Sequence, residues 1–342
     1  MTMKPLIAAG ALLALGLIQL PQAQAGPASE TVYFTTFNGG GEDVWQSTMT
    51  YTGNGTAGNG TFSPGTPTNL ASTPGADGIV FNPNNGQLLV GGQNTGNIYQ
   101  VNPAGGNQYT ALNAGMNTYE ITVDPSGNVV WGGGSEGGAT TITSVPINPT
   151  GGAPTVTPVS GSDNTVTHIT FVPGQAPGTA FYTTGGDDGF GDFGTINLAT
   201  GKTTAILTNV KYAHGMVYDP FTHDLIISGG NELAQIDPTT DAVISTAFFD
   251  GDELDQGAVD GAGHLFWADN NGNLLFIDYS NTGKIGDSSD FVSNHFFISQ
   301  LDDLAPLSGE GSTPVPEPAT WGLFAAALAG LALVRRNPVR QS

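Results

Sequence analysis

Short runs of apolar or alternating residues, four to seven long, fill the chain between residues 26 and 307. Gly, Pro, Asn and Asp residues separate these runs. Alternation with a period of two between turn residues is typical of β-strands, and this region shows no convincing 3.6-residue period of an amphipathic helix. The pattern therefore predicts an all-β domain.

The strand pattern repeats along the chain. Five segments each combine an apolar strand with a Pro or Gly turn: "GIVFNP" (78–83), "EITVDP" (120–125), "HITFVP" (168–173), "GMVYDP" (215–220) and "GAVDG" (257–261). Their turn residues, Pro83, Pro125, Pro173, Pro220 and Gly261, are 42, 48, 47 and 41 residues apart. Most units continue with a second and a third strand and a weaker fourth. Four strands in a period of this length predict the blades of a β-propeller.

The two ends of the repeat region determine the number of blades. Residues 31–64 match the second to fourth strands of a blade, whereas residues 301–307 match a first strand with nothing after it. Pairing of these N- and C-terminal strands would close the ring and leave no free sheet edge there. Six blades follow: 301–307 with 31–64, then 77–112, 119–159, 167–207, 214–249 and 255–299. Seven blades are the alternative if residues 255–299 contain an extra element.

Both termini carry apolar segments outside the repeats. Residues 1–25 have the order of a secretory signal peptide: Lys4, an apolar run, and Ala23-Gln24-Ala25 before the expected cleavage site. Residues 308–318 read as a linker that ends in Pro-Glu-Pro, and residues 319–342 as a hydrophobic transmembrane helix with a basic tail. The uncharged run has sixteen residues. A spanning helix needs about 20 apolar residues, so this segment makes a poor permanent anchor.

The C-terminal segment resembles a known family of sorting signals. It is similar to the PEP-CTERM signal of Gram-negative bacteria in three parts that occur in the same order. These are Val315-Pro316-Glu317-Pro318, the short apolar helix, and the arginine pair Arg335 and Arg336. The resemblance implies export by the Sec machinery, transient membrane insertion, recognition and cleavage by an exosortase, and delivery to the cell surface or extracellular matrix, usually in bacteria that make exopolysaccharide. An ordinary tail anchor with a chance Pro-Glu-Pro is the alternative.

The region between the two terminal signals is strongly acidic. Residues 26–312 contain three lysines, no arginine and 28 acidic residues, a formal charge of −25. Such a charge repels nucleic acid and anionic membranes, and it favours divalent cations and neutral or basic partners. The chain has no cysteine, which excludes disulfides and cysteine metal sites.

Polar residues open the first strand of every predicted blade, and in a propeller this strand lines the central channel. These residues form a candidate channel site of carboxylates and imidazoles: Asp77, Glu120, His168, His214, Asp255, Asp302 and Asp303. Oxygen ligands suit calcium, and imidazole also admits zinc or other transition metals. The alternative is a channel lining that is simply solvated.

Two acidic loops form a second candidate metal site. "GGDDGFGD" supplies Asp187, Asp188 and Asp192, and "DGDELD" supplies Asp250, Asp252 and Asp255. Carboxylates close together in a Gly-containing loop can fold around calcium without flanking helices. Ordinary hairpin-turn chemistry is the alternative, because Asp-Gly pairs are common in turns.

Two classes of function remain open. The segment "HGMVYD" (214–219) resembles the start of NHL-type repeats, and the blades are similar to a propeller class that includes metal-dependent lactonases. The chain has no HExxH motif, and its GxSxG match, within the Gly-rich stretch "GGGSEGG" (132–138), lies in a predicted loop without the following helix of a nucleophile elbow. We therefore expect a non-catalytic surface or matrix protein that binds polysaccharide or surface proteins. The alternative is an exported metal-dependent, lactonase-like hydrolase with its site at the channel mouth.

Overall fold

The computed structural model describes residues 28–36, 43–53, 60–134, 140–147, 152–162, 164–185, 190–249, 253–287, 292–295 and 301–305. These residues form 25 strands in six antiparallel sheets. The prediction of an all-β, six-bladed propeller is confirmed, and the seven-bladed alternative is wrong. No helix with the length and apolarity needed to span a membrane occurs in the described part of the chain. The hydrophobic helix predicted within residues 319–342 lies outside it.

Each sheet is one blade. Blade 1 comprises β1 (Ala28–Thr36), β2 (Asp43–Gly53), β3 (Gly60–Pro64), β4 (Thr68–Ser72) and β25 (Leu301–Leu304). Blade 2 comprises β5 (Ala76–Asn82), β6 (Gln87–Gly92), β7 (Asn97–Val101) and β8 (Tyr109–Asn113). Blade 3 comprises β9 (Ile121–Val123), β10 (Val129–Gly132), β11 (Thr141–Pro146) and β12 (Thr155–Pro158).

The other three blades follow the same order from the inside of the ring outward. Blade 4 comprises β13 (His168–Thr170), β14 (Thr179–Thr183), β15 (Gly191–Asn197) and β16 (Lys202–Val210). Blade 5 comprises β17 (Met216–Asp219), β18 (Asp224–Gly229), β19 (Glu232–Asp237) and β20 (Ala242–Phe248). Blade 6 comprises β21 (Leu254–Val259), β22 (His264–Asp269), β23 (Asn273–Asp278) and β24 (Val292–His295).

The ring closes through its two terminal strands. β25 pairs with β1, with Leu304 opposite Phe34 and Leu301 opposite Thr36. The innermost strands β25, β5, β9, β13, β17 and β21 contact one another in cyclic order. Closure by the N- and C-terminal strands is therefore confirmed. Blade 1 is the only one of the six described sheets that combines strands from both ends of the chain.

One hydrophobic core lies between each pair of neighbouring blades. The central strands are apolar on both faces because each face packs on a different blade. In β22, Leu265 and Trp267 belong to the core shared with blade 5, whereas Phe266 and Ala268 belong to the core shared with blade 1. The period of two along the strand thus assigns alternate residues to opposite neighbours.

The outer edge of blade 1 differs from the simple four-strand unit. The long strand β2 pairs with β3 along Met49–Gly53 and with β4 along Asp43–Gln46. The two short strands β3 and β4 therefore occupy the position that a single fourth strand occupies in each of the other five blades. The sequence analysis ended this blade at residue 64, and the structure extends it to Ser72.

Candidate functional site: the channel cluster

Five of the six innermost strands carry an irregularity at the position where the sequence analysis aligned polar residues. The register of β5 on β6 shifts between Ala76 and Ile79, and that of β21 on β22 between Leu254 and Gly257. A third shift lies between β1 and β25, next to Asp302 and Asp303. A β-bulge of this kind places an extra residue in one strand and changes the direction of its side chains. The bulges thus bring acidic side chains to one level of the channel.

The innermost strands β9 and β17 show the same arrangement through the backbone hydrogen bonds at their starts. Gly133 accepts from Tyr119 N at 3.2 Å and donates to Glu120 O at 3.1 Å. Ser228 accepts from His214 N at 2.7 Å and donates to Gly215 O at 2.9 Å. One residue of the second strand therefore serves two consecutive residues of the first, as in a bulge.

Two glycines allow the innermost strands to approach closely at this level. A Cβ atom on Gly78 would lie 2.6 Å from the Cα of Glu120, and one on Gly215 would lie 2.5 Å from the backbone oxygen of Asp255. Both distances are shorter than side chains tolerate. The backbone of the next innermost strand therefore leaves room only for glycine after Asp77 and after His214.

The structure brings the seven predicted channel residues together in two adjoining groups. Each is at most 5% exposed, so these side chains are buried within the ring. In the first group, ligand atoms of Glu120, His214 and Asp255 lie within 4.8 Å of one another, and in the second, those of Asp77, Asp302 and Asp303 do. His168 lies beside the first group, with its Nδ1 3.7 Å from Oε2 of Glu120. We call these seven residues the channel cluster.

The hydrogen bonds of His214 assign its role. Nδ1 lies 2.7 Å from the backbone oxygen of Gly185, which can only accept, so Nδ1 carries a proton and donates. Nε2 lies 2.9 Å from Oδ1 of Asp255. Burial raises the pKa of Asp255, but the charge and hydrogen bond of His214 outweigh it and hold that pKa below its usual value. His214 is therefore best described as a cation that orients Asp255.

The carboxyl groups of Glu120, Asp255 and Asp303 lie within hydrogen-bond reach of one another. As carboxylates all three can only accept, and no N–H or O–H of the described residues donates to either oxygen of Glu120 or to Oδ2 of Asp303. Burial and the neighbouring carboxylates raise the pKa values of Glu120 and Asp303 well above their usual range. This arrangement needs shared protons or a cation.

The protein supplies little positive charge to the cluster. Burial, together with the charge of His214, lowers the pKa of His168 to about 3, so His168 is neutral near pH 7. Lys202, Lys211 and Lys284, the only basic residues between residues 26 and 312, are all exposed. Five acidic side chains therefore face one imidazolium. A buried carboxylate without a partner is strongly unfavourable, and a hard divalent cation with oxygen ligands fits this donor set.

Neighbouring groups hold the acidic side chains in position. The indole Nε1 of Trp267 donates to the backbone oxygen of Asp255 at 2.6 Å, and the backbone N–H of Gln256 donates to Oδ1 of Asp303 at 3.1 Å. Asp77 Oδ1 accepts from the N–H of Gly78 at 2.8 Å. The sequence analysis did not assign these supporting roles, because they depend on which blades meet at the channel.

The acidic loops are only partly described. Asp187, Asp188, Asp250 and Asp252 lie outside the described residues. Asp192 accepts a hydrogen bond from the backbone N–H of Asn209 at 3.0 Å. Asp255, which the sequence analysis placed in both candidate sites, contacts His214 in the channel cluster.

A second acid and imidazole group, which is partly buried and which the sequence analysis missed, lies between blades 6 and 1. His264 Nδ1 is 2.6 Å from Oδ2 of Asp260, which also accepts from the hydroxyl of Tyr51 at 2.8 Å. Burial alone would lower the pKa of His264, but the hydrogen bond and charge of Asp260 and the charge of Asp278 raise it. The same contacts with His264 outweigh burial and lower the pKa of Asp260. The spacing of four residues between Asp260 and His264 is the sequence signal for this pair.

Comparisons with known proteins agree on the fold and on the C-terminal signal. Residues 314–336 match the PEP-CTERM protein-sorting motif. No curated protein sequence matches the chain. A chain of the nidogen/laminin complex is similar in structure with a TM-score of 0.61 at 12% identity, over 83% of this chain and 100% of that one.

Two further solved structures are similar at lower scores. A luciferin-regenerating enzyme has a TM-score of 0.53 at 12% identity, over 68% of this chain and 80% of that one. Regucalcin of Agrobacterium tumefaciens, described as a calcium-binding protein, has a TM-score of 0.52 at 14% identity, over 73% and 87%. At these identities the likeness concerns the fold alone. The sorting motif implies processing by an exosortase. The chain is therefore an exported, membrane-transiting protein in which a PEP-CTERM protein-sorting motif follows a six-bladed β-propeller.

Proposed function

We propose that the protein is a non-catalytic binding module, displayed at the cell surface or in the extracellular matrix of a Gram-negative bacterium, that binds polysaccharide or surface proteins and uses calcium. In this proposal the signal peptide at residues 1–25 and the sorting helix and tail at residues 319–342 are removed in turn. The propeller at 26–307 and part of the linker at 308–318 then reach the surface.

One observation carries the non-catalytic part of the proposal. The channel cluster is the richest group of candidate catalytic side chains among the described residues, and each of its members is at most 5% exposed. A general acid or base must come within hydrogen-bond distance of its substrate. Side chains that are buried this deeply are poorly placed to contact a substrate. The exposed surfaces of the blades are therefore the favoured place for binding.

The acidic surface determines which partners are favoured. A formal charge of −25 repels an anionic polysaccharide unless divalent cations bridge the two surfaces. We therefore expect direct binding to neutral polysaccharide and calcium-dependent binding to acidic polysaccharide. The calcium-binding description of the structurally similar regucalcin adds support for this ion.

Cosedimentation with exopolysaccharide from the producing bacterium tests this function. The purified protein should pellet with the polysaccharide, and chelation of calcium should release the fraction bound to acidic chains. Calcium binding by the two loops is tested separately with Asp188→Asn and Asp252→Asn in a melting series with calcium, magnesium and sodium. Absence of cosedimentation with every fraction, together with no surface exposure to added protease, would refute the binding function.

The alternative function is an exported, metal-dependent, lactonase-like hydrolysis at the channel mouth. The three ligand atoms that Glu120, His214 and Asp255 place within 4.8 Å of one another favour it. A lactone-hydrolysis assay with added calcium, manganese or zinc distinguishes the two functions. Metal-dependent turnover by the wild type that is lost in Glu120→Gln and retained in the exposed-site variant Asp241→Asn would establish the enzyme and exclude the non-catalytic proposal.

A further inference from the structure

We propose that one hard divalent cation, calcium under extracellular conditions, binds between the carboxyl groups of Glu120, Asp255 and Asp303 and fastens the closing strand β25 to the ring. The inference rests on the calcium dependence in the proposed function but not on surface binding. It assigns the ion to the channel cluster rather than to the acidic loops.

The three carboxyl groups come from three different blades. Glu120 directly precedes β9 of blade 3, Asp255 lies in β21 of blade 6, and Asp303 lies in β25 of blade 1. The carboxyl groups are within hydrogen-bond reach of one another although each is an acceptor when ionised. A cation between them would convert three repulsive contacts into three ligand bonds.

The unpartnered oxygen atoms point to a ligand and not merely to an acidic patch. Glu120 is 1% exposed and Asp303 is fully buried, yet neither oxygen of Glu120 nor Oδ2 of Asp303 receives a hydrogen bond from an N–H or O–H of the described residues. More than nine-tenths of buried polar groups in proteins are hydrogen-bonded, so three such atoms in one place require an explanation. An oxygen-coordinated cation satisfies all three together.

The surrounding groups favour a hard cation over zinc. His214 Nδ1 donates to the carbonyl of Gly185, and Nε2 faces Asp255 at 2.9 Å. The imidazole is thus engaged on both nitrogens and orients a carboxylate. Asp77 and Asp302, in the adjoining group, supply further oxygen atoms. Calcium takes six to eight oxygen ligands in flexible geometry, whereas magnesium requires a near-octahedral site and retains several waters.

Binding of the ion would couple the channel to ring closure. The short strand β25 and the residue after it donate hydrogen bonds to blade 1. The N–H of Asp303 donates to Oγ1 of Thr35 at 3.2 Å, and the N–H of Ala305 donates to the backbone oxygen of Tyr33 at 2.9 Å. When β25 detaches, Asp303 leaves the cluster and the ion loses a ligand. An ion that binds only the closed form therefore lowers the opening equilibrium of β25 by the factor 1 + [L]/Kd.

Hydrogen exchange of the β25 amides measures this coupling directly. The full-length protein, purified in detergent and depleted with a chelator, is compared with and without calcium, with magnesium and sodium at matched ionic strength. At a calcium concentration of 100 Kd, exchange of the β25 amides should slow about 100-fold if it follows opening of the closed form. Magnesium should give a smaller effect and sodium none.

Two variants and a matched control locate the ion. Glu120→Gln keeps the shape of the side chain but removes one ligand charge, and Asp303→Asn does the same on β25. Asp241→Asn removes one negative charge at an exposed turn. The calcium effect should disappear in Glu120→Gln and persist in Asp241→Asn. In chelator, Glu120→Gln should melt at the same temperature as the wild type or above it, since one carboxyl group has left the crowded site.

The outcomes separate this inference from the proposed function. A calcium effect that survives Glu120→Gln and is lost in Asp188→Asn or Asp252→Asn would place the ion in the acidic loops. That result would overturn the assignment of the ion to the channel cluster. Equal responses to calcium and magnesium in every variant would also overturn it, because screening then suffices. If Asp303→Asn does not fold, Glu120→Gln on blade 3 still decides the question.

Discussion

Replacement of Leu304 by alanine tests whether closure of the ring by β25 stabilises the whole domain. Leu304 is 1% exposed and packs in the core between blades 6 and 1, together with Phe34 and Phe266. Leu→Ala substitutions in well-packed cores cost about 2–5 kcal/mol, and the cost rises where the surroundings cannot collapse. Sheets on both sides confine this site, so we expect a loss of about 3 kcal/mol in the free energy of unfolding.

Urea denaturation, followed by tryptophan fluorescence, measures this loss. The midpoint should fall with little change in the slope, because the mutation lowers stability without altering the area exposed on unfolding. Leu304→Met, which nearly conserves volume, should cost less than about 1.5 kcal/mol. Phe248→Ala, at an exposed position on the outer strand of blade 5, should change stability by no more than about 0.5 kcal/mol. A Leu304→Ala protein as stable as Phe248→Ala would refute the reasoning.

Three other predictions concern the chain ends and the partly buried His264. Deletion of residues 299–312 should destabilise the whole ring and deletion of 313–342 should leave it folded; equal melting temperatures would contradict closure. Mass spectrometry of the mature surface form should find a C-terminus that lacks Trp321 and all later residues, and recovery of intact peptides from the basic tail would show that the signal is retained. His264 has a raised pKa, so its stabilisation is complete below its unfolded value of about 6.5 and is lost as the pH rises through the folded value. Asp260, with a lowered pKa, contributes above its unfolded value of about 3.9 and loses that contribution in acid. His264→Gln should therefore remove the part of the stability loss that the wild type shows above pH 6.5, and parallel pH profiles of the two proteins would contradict the ion pair.

The repeated pattern of apolar strands and turn residues was sufficient to predict the fold. Turn residues 41 to 48 apart, with apolar strands between them, mark five blades, and the incomplete units at residues 31–64 and 301–307 complete the sixth. This inference succeeds because every blade buries both faces of its central strands and therefore leaves the same apolar pattern. The sequence analysis missed strand β4, because Thr68–Ser72 is short and mostly exposed and follows the predicted end of the blade at residue 64.

The candidate site was predictable in membership but not in environment. Alignment of the first strands brought Asp77, Glu120 and Asp255 to one level of the channel, and the structure places Glu120 and Asp255 in one group and Asp77 in the adjoining one. Their burial depends on bulges and on the close approach of Gly78 to the next innermost strand, which requires coordinates. The hydrogen bonds of His214 likewise depend on Gly185 of another blade. A pattern of residue types cannot distinguish a solvated lining from a sealed cluster, because the same residues serve both.

The position of β25 in the chain also determines when and where the protein can finish folding. Asp303 and its contact Thr35 are 268 residues apart, so the first blade cannot be completed until nearly the entire chain has crossed the membrane. Ala305 stands 14 residues before Ala319, where the uncharged apolar run begins. Fourteen residues span at most about 50 Å even when fully extended. If the tail is held in the bilayer as proposed, the final step of assembly therefore takes place within about 50 Å of the membrane surface, and the proposed cleavage near Pro-Glu-Pro would release a ring that has already had the opportunity to close.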